Sequence, residues 1–208
     1  MASIYGLKPA FQNLLRPIVR ALARGGVTAN QVTLFALALS LATGAAIAWW
    51  RTPRVLLLLP AVLLLRMALN AMDGMLAREH NQKTPLGAIL NELGDVIADA
   101  GLYAPLALVL DFAPWLVFLV VLLAILSEMT GVIAVQIGAS RRYDGPMGKS
   151  DRAFLFGLMG LLLGLHIPIA RWIPYVLAAM AILIVLTIVN RARNALRELR
   201  ASARNSAP

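Results

Sequence analysis

The chain of 208 residues contains no cysteine, so disulfides, thiolate catalysis and zinc–thiolate centres are excluded. Histidine is almost as scarce, and His80 and His166 lie far apart, which argues against a histidine-held metal. Any metal here is therefore expected to be bound through oxygen. Charge is sparse as well: 14% of residues are charged against 60% hydrophobic, and the mean hydropathy is +0.77. A soluble domain of this size needs a more polar surface, so the bilayer is expected to be the solvent for most of the chain. Acidic residues are few, ten against nineteen Lys and Arg, giving a net charge of +9. A nucleic-acid partner is not expected from this excess. The basic residues fall between apolar runs, where they would meet anionic headgroups. Neither internal repeats nor low-complexity linkers are present, and the first residues lack the succession typical of a cleaved signal peptide.

What is abundant is apolar sequence. Six runs can be drawn, at roughly 31–50, 55–77, 86–110, 113–138, 153–167 and 172–190, most near the ~20 residues needed to cross a bilayer. The fold expected is all-α, a polytopic membrane protein with six transmembrane helices preceded by an interfacial amphipathic helix. Residues 1–26 would form that helix, 27–192 the six-helix domain and 193–208 a basic cytoplasmic tail. Lys8, Arg16, Arg20 and Arg24 precede the first run, Arg78 and Lys83 lie in the 78–85 loop, and Arg141, Arg142, Lys149 and Arg152 lie in the 139–152 loop. Arg191, Arg193, Arg197, Arg200 and Arg204 follow the last run, whereas the alternate connections carry Arg51, Arg54 and Arg171. The positive-inside rule then places both termini and both long loops in the cytoplasm. Ahead of the first run, Lys8, Gln12, Arg16, Arg20 and Arg24 follow an i+4 line beside a stripe of Leu7, Phe11, Leu14, Ile18 and Leu22. This pattern predicts a helix lying in the membrane interface and bent at Pro17.

Ionisable groups within apolar helices are costly and mark function. Asn70 and Asp73 share one face of the second run, while Gly87, Asn91, Asp95 and Asp99 recur every four residues along the third. The loop between these runs is short, so antiparallel neighbours with facing polar stripes are expected. Oxygen groups converging from two helices suit a hard cation such as Mg²⁺ or Mn²⁺. Gly74 and Gly87 would let a phosphate approach the backbone. The competing reading is an interhelical hydrogen-bond cluster with glycines for tight packing. Arg66 lies one turn before Asn70, where it would reach a phosphate or pair with Asp95, Asp99 or Glu128.

The stretch NAMDGMLAREHNQKTPLGAILNELGD, residues 70–95, resembles the signature of the CDP-alcohol phosphotransferase family, D-x2-D-G-x2-A-R-x8-G-x3-D-x3-D. Every spacing matches, and Asp73, Gly74, Ala77, Arg78, Gly87 and Asp95 match in identity. VTANQVT at 27–33 is similar to the family's Thr-Pro-Asn-x-x-Thr segment, with Ala29 in place of proline, and GPMGKSDRA at 145–153 resembles its Gly-Lys segment. The first and third signature aspartates are here Asn70 and Asn91. The resemblance implies metal binding by Asp73, Asp95, Asn70 and Asn91, with Asp95 as catalytic base. It also implies nucleotide contacts from Asn30, Thr33, Gly74, Ala77, Arg78 and Gly87. Arg141, Arg142, Lys149 and Arg152 would bind an acceptor or lipid phosphate, with Gly145 and Gly148 permitting close approach; topology determination is the plainer role for such a loop. Asp99 and Arg66 would support the metal ligands.

The implied activity is transfer of a phosphatidyl group from a lipid of CDP-diacylglycerol type to an alcohol acceptor, releasing CMP, in phospholipid biosynthesis. A homodimer in the bacterial inner membrane, with its active site on the cytoplasmic side, is implied too. Because an asparagine carbonyl ligates without adding negative charge, one tightly held Mg²⁺ or Mn²⁺ is expected. A second ion would bind weakly or arrive with the pyrophosphate. Two rival readings remain: a non-catalytic nucleotide-lipid binder with a degenerate metal site, and a transporter using intramembrane carboxylates as a proton relay. The absence of a repeat disfavours the transporter.

Overall fold

The computed structural model describes residues 7–205, with side chains placed from 10 to 203, and every regular element among them is helical. The side chains of Lys8 and Arg204, both counted in the charge analysis, lie outside the described residues. Seven α-helices follow in order: α1 Leu7–Arg24, α2 Ala29–Trp50, α3 Leu58–Glu79, α4 Pro85–Tyr103, α5 Pro114–Gln136, α6 Lys149–Gly164 and α7 Ile173–Asn205. Short 3₁₀ turns at Pro53–Leu57, Ala104–Leu108 and Ala170–Trp172 lead into or out of them, two with proline at or next to the first position, where its missing N–H costs nothing.

Among the described residues four segments are long and apolar enough to cross a membrane: Ala29–Trp50, Pro53–Glu79, Pro114–Gln136 and Ala170–Ala203. The other two expected spans fall short for separate reasons. The run 86–110 is α-helical only to Tyr103, and Glu92, Asp95 and Asp99 dilute its hydropathy. The run 153–167 belongs to a helix of 16 residues that begins with Lys149, Asp151 and Arg152. At 1.5 Å per residue it is about 24 Å long, under the ~30 Å of a hydrocarbon core. The boundary expected at 193 coincides with no break, because α7 continues to Asn205.

The chain divides into two units. The first comprises Met1–Ala45 and Ala61–Leu102. Its core brings together Leu15 and Val19 of α1, Ala29, Val32 and Ala36 of α2, and Leu69, Met72, Met75 and Leu76 of α3. The apolar residues of α1 divide between two strips. Leu15 and Val19 are the buried positions, while Leu14 and Ile18 are 72% and 51% exposed. A helix packed against a core from one side buries one strip, so the second apolar strip of α1 faces outward. Pro17 sits inside α1 without ending it. Arg16, expected on the polar line, is tied to Glu79 of α3 through two hydrogen bonds of 3.0 and 3.2 Å.

The second unit comprises Ala46–Pro60 and Tyr103–Pro208. Within it α5 packs along α7, and α6 packs on the 53–57 turn. Gly160 makes that approach possible: a Cβ there would lie 2.8 Å from Leu59 Cδ1 and 2.9 Å from the Leu56 carbonyl oxygen. Tyr103 stacks on Phe156 with ring centroids 4.2 Å apart.

Candidate functional site

In the first unit the site is assembled from two helix ends whose caps are written into the sequence, with the loop before the second tied to the first. Thr28 and Gln31 form a reciprocal cap on α2: the Gln31 N–H donates to Thr28 Oγ1 at 3.2 Å, and the Thr28 N–H donates to Gln31 Oε1 at 2.9 Å. Thr84 caps α4, its hydroxyl accepting from the Gly87 N–H at 2.9 Å. Gln82 then fastens the intervening loop to α2. Its carbonyl accepts from the Ala29 N–H at 2.7 Å and its amide donates to the Val27 carbonyl at 3.4 Å. Ala29, which stands where the family pattern has proline, thus uses an N–H that proline lacks.

These ends set α3 and α4 side by side with their polar stripes facing. Asn70 Nδ2 donates to Asp95 Oδ1 at 3.1 Å. One turn along, Arg66 Nη2 lies 2.9 Å from Asp99 Oδ1. Four residues back on α3 match four residues onward on α4, so the helices are antiparallel and in register. The Arg66–Asp99 contact is thus a buried ion pair between the two helices. Asp99, one of the partners considered for Arg66, is one that it meets. Asp73 is buried and accepts from the Thr33 hydroxyl at 2.8 Å, which joins α2 to the same face. Asn91 is exposed at the outer end of the stripe.

The two glycines are covered by the protein's own side chains. A Cβ at Gly74 would sit 3.1–3.4 Å from the Arg78 guanidinium, and one at Gly87 would sit 2.8 Å from Asn30 Oδ1. Arg78 and Asn30 thus lie over the backbone positions expected to admit phosphate. Ala77 is half-buried in the α3 packing. Among the described residues no three His, Cys, Asp or Glu gather as a metal-binding group. That follows from the two asparagines: Asp73 and Asp95 are the carboxylates that remain at signature positions.

The second unit holds the basic loop, and its arginines are largely turned inward. Arg141, Arg152 and Arg191 converge on Glu128, at 3.2, 3.1 and 3.4 Å. Arg152 is 1% exposed and Arg191 2% exposed. Arg191 Nη1 also donates to the Ser127 carbonyl at 2.6 Å. Arg142 pairs with Asp144 at 2.8 Å and Glu198 at 3.0 Å, while Lys149 opens α6 half-buried. Burial alone would push the Asp144 carboxyl up. Hydrogen bonds from the Asn194 amide and its own backbone, with the Arg142 guanidinium, hold it below the ordinary carboxylate range. Gly145, at φ +139°, packs against the Thr187 side chain, whose hydroxyl accepts from the Met147 N–H at 2.9 Å. Its close approach is to α7. The Gly148 N–H donates to Asp151 Oδ2 at 2.8 Å, which caps α6.

Glu128 was visible in the sequence only as one option for Arg66, and Arg191 only as a basic tail residue. A signal was present: Thr187, Arg191, Asn194 and Glu198 recur at helical spacing and form a polar stripe on α7.

Comparison with known proteins bears on both units. Inner membrane protein YnbA of Escherichia coli (strain K12) is 48% identical over 194 residues, covering 93% of this chain and 96% of that protein. The fold is similar to crystal structures of Mycobacterium tuberculosis phosphatidylinositol phosphate synthase (PgsA1). The structure in complex with manganese and citrate aligns with a TM-score of 0.70 at 21% identity, covering 86% of this chain and 88% of the other. The structure with CDP-DAG bound aligns with a TM-score of 0.66 at the same identity, covering 88% and 91%. At that identity the likeness speaks to the fold. The family model described as CDP-alcohol phosphatidyltransferase matches residues 26–189, a stretch that takes in the paired stripes of α3 and α4 with the Thr33 contact. A match over that much of its length means that the chain belongs to the CDP-alcohol phosphatidyltransferase family.

Proposed function

We propose that this protein transfers a substituted phosphate group from a CDP-linked lipid of CDP-diacylglycerol type to an alcohol acceptor, with release of CMP. The observation that carries this reading is the pairing of Asn70 with Asp95 across α3 and α4, beside an Asp73 oriented by Thr33. The CDP-DAG bound to the mycobacterial synthase supports the donor, and the manganese in its companion structure supports a divalent cation.

The donor set suits one such cation, Mg²⁺ or Mn²⁺. Two carboxylates balance its charge, and the Asn70 and Asn91 carbonyls add hard oxygen donors. Asp73, Asp95, Asn70 and Asn91 would hold it. When bound, it neutralises diphosphate charge and lowers the cost of departing CMP. The rest falls to the chain's own side chains. Arg78 and Asn30, with Thr33 and the backbone at Gly74, Ala77 and Gly87, contact the nucleotide or its phosphates. Asp95 accepts the proton of the acceptor hydroxyl as that oxygen bonds to the lipid-linked phosphorus and the bond from phosphorus to CMP breaks. The hydrogen bond from Asn70 holds the Asp95 carboxylate in place for that transfer. Arg141, Arg142 and Lys149 bind an anionic acceptor or the lipid phosphate, and Arg152 and Arg191, buried against Glu128, brace them. In this reading six helices cross the bilayer, α1 lies in the interface on Leu14 and Ile18, both termini and the site face the cytoplasm, and the protein works as a homodimer.

The test is CMP release from CDP-diacylglycerol by purified protein with Mg²⁺ or Mn²⁺ and a panel of alcohols. Release is expected with at least one acceptor, and Asp95→Asn is expected to lower it by about a hundredfold or more. Donor binding without release under every acceptor would replace this reading with that of a nucleotide-lipid binder.

A further inference from the structure

We infer that Gln82 is a positioning residue, which locks the first turn of α2 against the start of α4 and so holds Asn30 over Gly87, where the nucleotide is proposed to bind. The inference rests on the donor reading above and gives a role to a residue that reading leaves unused. It begins with Ala29. That residue is 7% exposed and opens α2, where no preceding turn of helix supplies a carbonyl for its N–H. A buried N–H left unpaired is costly. Proline, which the family pattern has at this position, avoids the cost by lacking the N–H and fixes the helix start through its ring. Ala29 does neither. Its N–H donates instead to Gln82 Oε1 at 2.7 Å, from a loop 53 positions away.

The loop is shaped for this reach. At its start Glu79 is held by Arg16 of α1 at 3.0 Å. Asn81 follows at φ +55°, a left-handed conformation that asparagine tolerates, and half-buried Gln82 comes next. Gln82 Nε2 donates to the Val27 carbonyl at 3.4 Å, so one side-chain amide grips the chain on both sides of Thr28, the residue that caps α2. Two residues on, Thr84 Oγ1 accepts from the Gly87 N–H at 2.9 Å and caps α4. The two helix starts are thus joined through Gln82 within a few residues of both caps. Asn30 directly follows Ala29, and its Oδ1 stands 2.8 Å from where a Cβ on Gly87 would lie. Any shift of the α2 start carries Asn30 with it. The Asn70–Asp95 contact lies about 12 Å further along α4 than Gly87, so donor binding and proton transfer respond differently to loss of the latch.

The experiment measures CMP release across concentrations of CDP-diacylglycerol, with backbone hydrogen exchange on the same proteins free of nucleotide. Gln82→Ala is expected to raise the donor KM about tenfold, leave kcat within about threefold of wild type, and speed exchange across residues 31–35. Gln82→Glu keeps an acceptor for the Ala29 N–H, so its KM is expected to stay within about threefold of wild type. Ala29→Pro alone sets its ring against Gln82 Oε1 and is expected to raise KM as well. Ala29→Pro with Gln82→Ala removes donor and acceptor together and is expected to regain most of the wild-type KM. A residue that only stabilised the fold would lower the melting temperature without this reciprocal rescue. Unchanged KM in Gln82→Ala, or no recovery in the double variant, would overturn the inference. If Gln82→Ala does not fold, as judged by melting and size exclusion, Ala29→Pro against the double variant decides. A wild type that releases no CMP with any acceptor removes the transferase reading, and exchange then decides the latch alone. Faster exchange at 31–35 in Gln82→Ala, slowed again in the double variant, supports it; unchanged exchange overturns it.

Discussion

Burial and pairing pull in opposite directions on Asp144, and pairing wins. Its carboxylate receives Asn194 at 2.6 Å, which pins the basic loop to α7, and Arg142 at 2.8 Å within the loop itself. A carboxyl held below its usual range stabilises the fold fully above that range and loses the contribution as pH falls through its lowered value. The advantage of wild type over Asp144→Asn is therefore expected to be constant near neutrality and to shrink below about pH 4. Melting curves in detergent across that interval check it, and an advantage that grew on acidification would contradict the assignment. The residue scale is also where the sequence was least complete. The face shared by Asn70 and Asp73, and the stripe through Asn91, Asp95 and Asp99, follow from spacings of three and four on single helices. Arg191 meets Ser127 across 64 positions, and Gly145 meets Thr187 across 42. Helical periodicity names a face but not what that face will touch, so the inward turn of the arginines was not legible.

At the scale of elements, the positions where helices touch are set by glycine as much as by apolar side chains. Gly160 and Gly164 of α6 lie one turn apart, and both face the 53–59 region, against Leu56, Leu57 and Leu59. This small-x-x-x-small spacing lets the α6 backbone approach closely, which matters where lipid tails offer no hydrophobic drive for association. Gly160→Val is expected to force α6 outward, costing about 1–3 kcal/mol and lowering the melting temperature in detergent. Gly160→Ala should cost less but still register, because one carbon already lies 2.9 Å from a carbonyl oxygen. Stability equal to wild type in the valine variant would mean that α6 does not pack as described. The spacing was present in the sequence but ambiguous there, since glycines in apolar runs serve packing and phosphate approach alike. The same ambiguity attended Gly74 and Gly87, which are covered by Arg78 and Asn30. Helix limits were legible to within a few residues where caps such as Thr28 and Thr84 exist. They failed at 86–110, where the apolar run continues past the end of α4 into a 3₁₀ turn.

At the scale of the whole molecule, the number of helices that cross fixes the side of one loop. Four segments meet the length and hydropathy of a crossing, while α4 and α6 do not. Either number is even, so both arrangements put the termini on one side, and a reporter fused to either end cannot separate them. The 139–152 loop can. If all six helices cross, that loop shares the side of the termini; if α4 and α6 stay in the interface, α5 carries it to the opposite side. Arg141 and Arg142 lie in this loop and Lys149 and Arg152 in the first turn of α6, and by the positive-inside rule such a cluster is expected on the cytoplasmic side. The shortness of α6 is tolerable in that case, since a bilayer thins locally around a short span at modest cost. Because the chain has no cysteine, single cysteines can be introduced without background. Ser140→Cys and Asn81→Cys, both exposed, are expected to resist a membrane-impermeant maleimide in intact cells and to label after permeabilisation. Arg51→Cys and Arg171→Cys, in the sparsely charged connections, are expected to label directly. Labelling of Ser140→Cys from outside, with Asn81→Cys still protected, would establish four crossings. It would also move the basic loop away from the side on which the proposed reaction has its nucleotide.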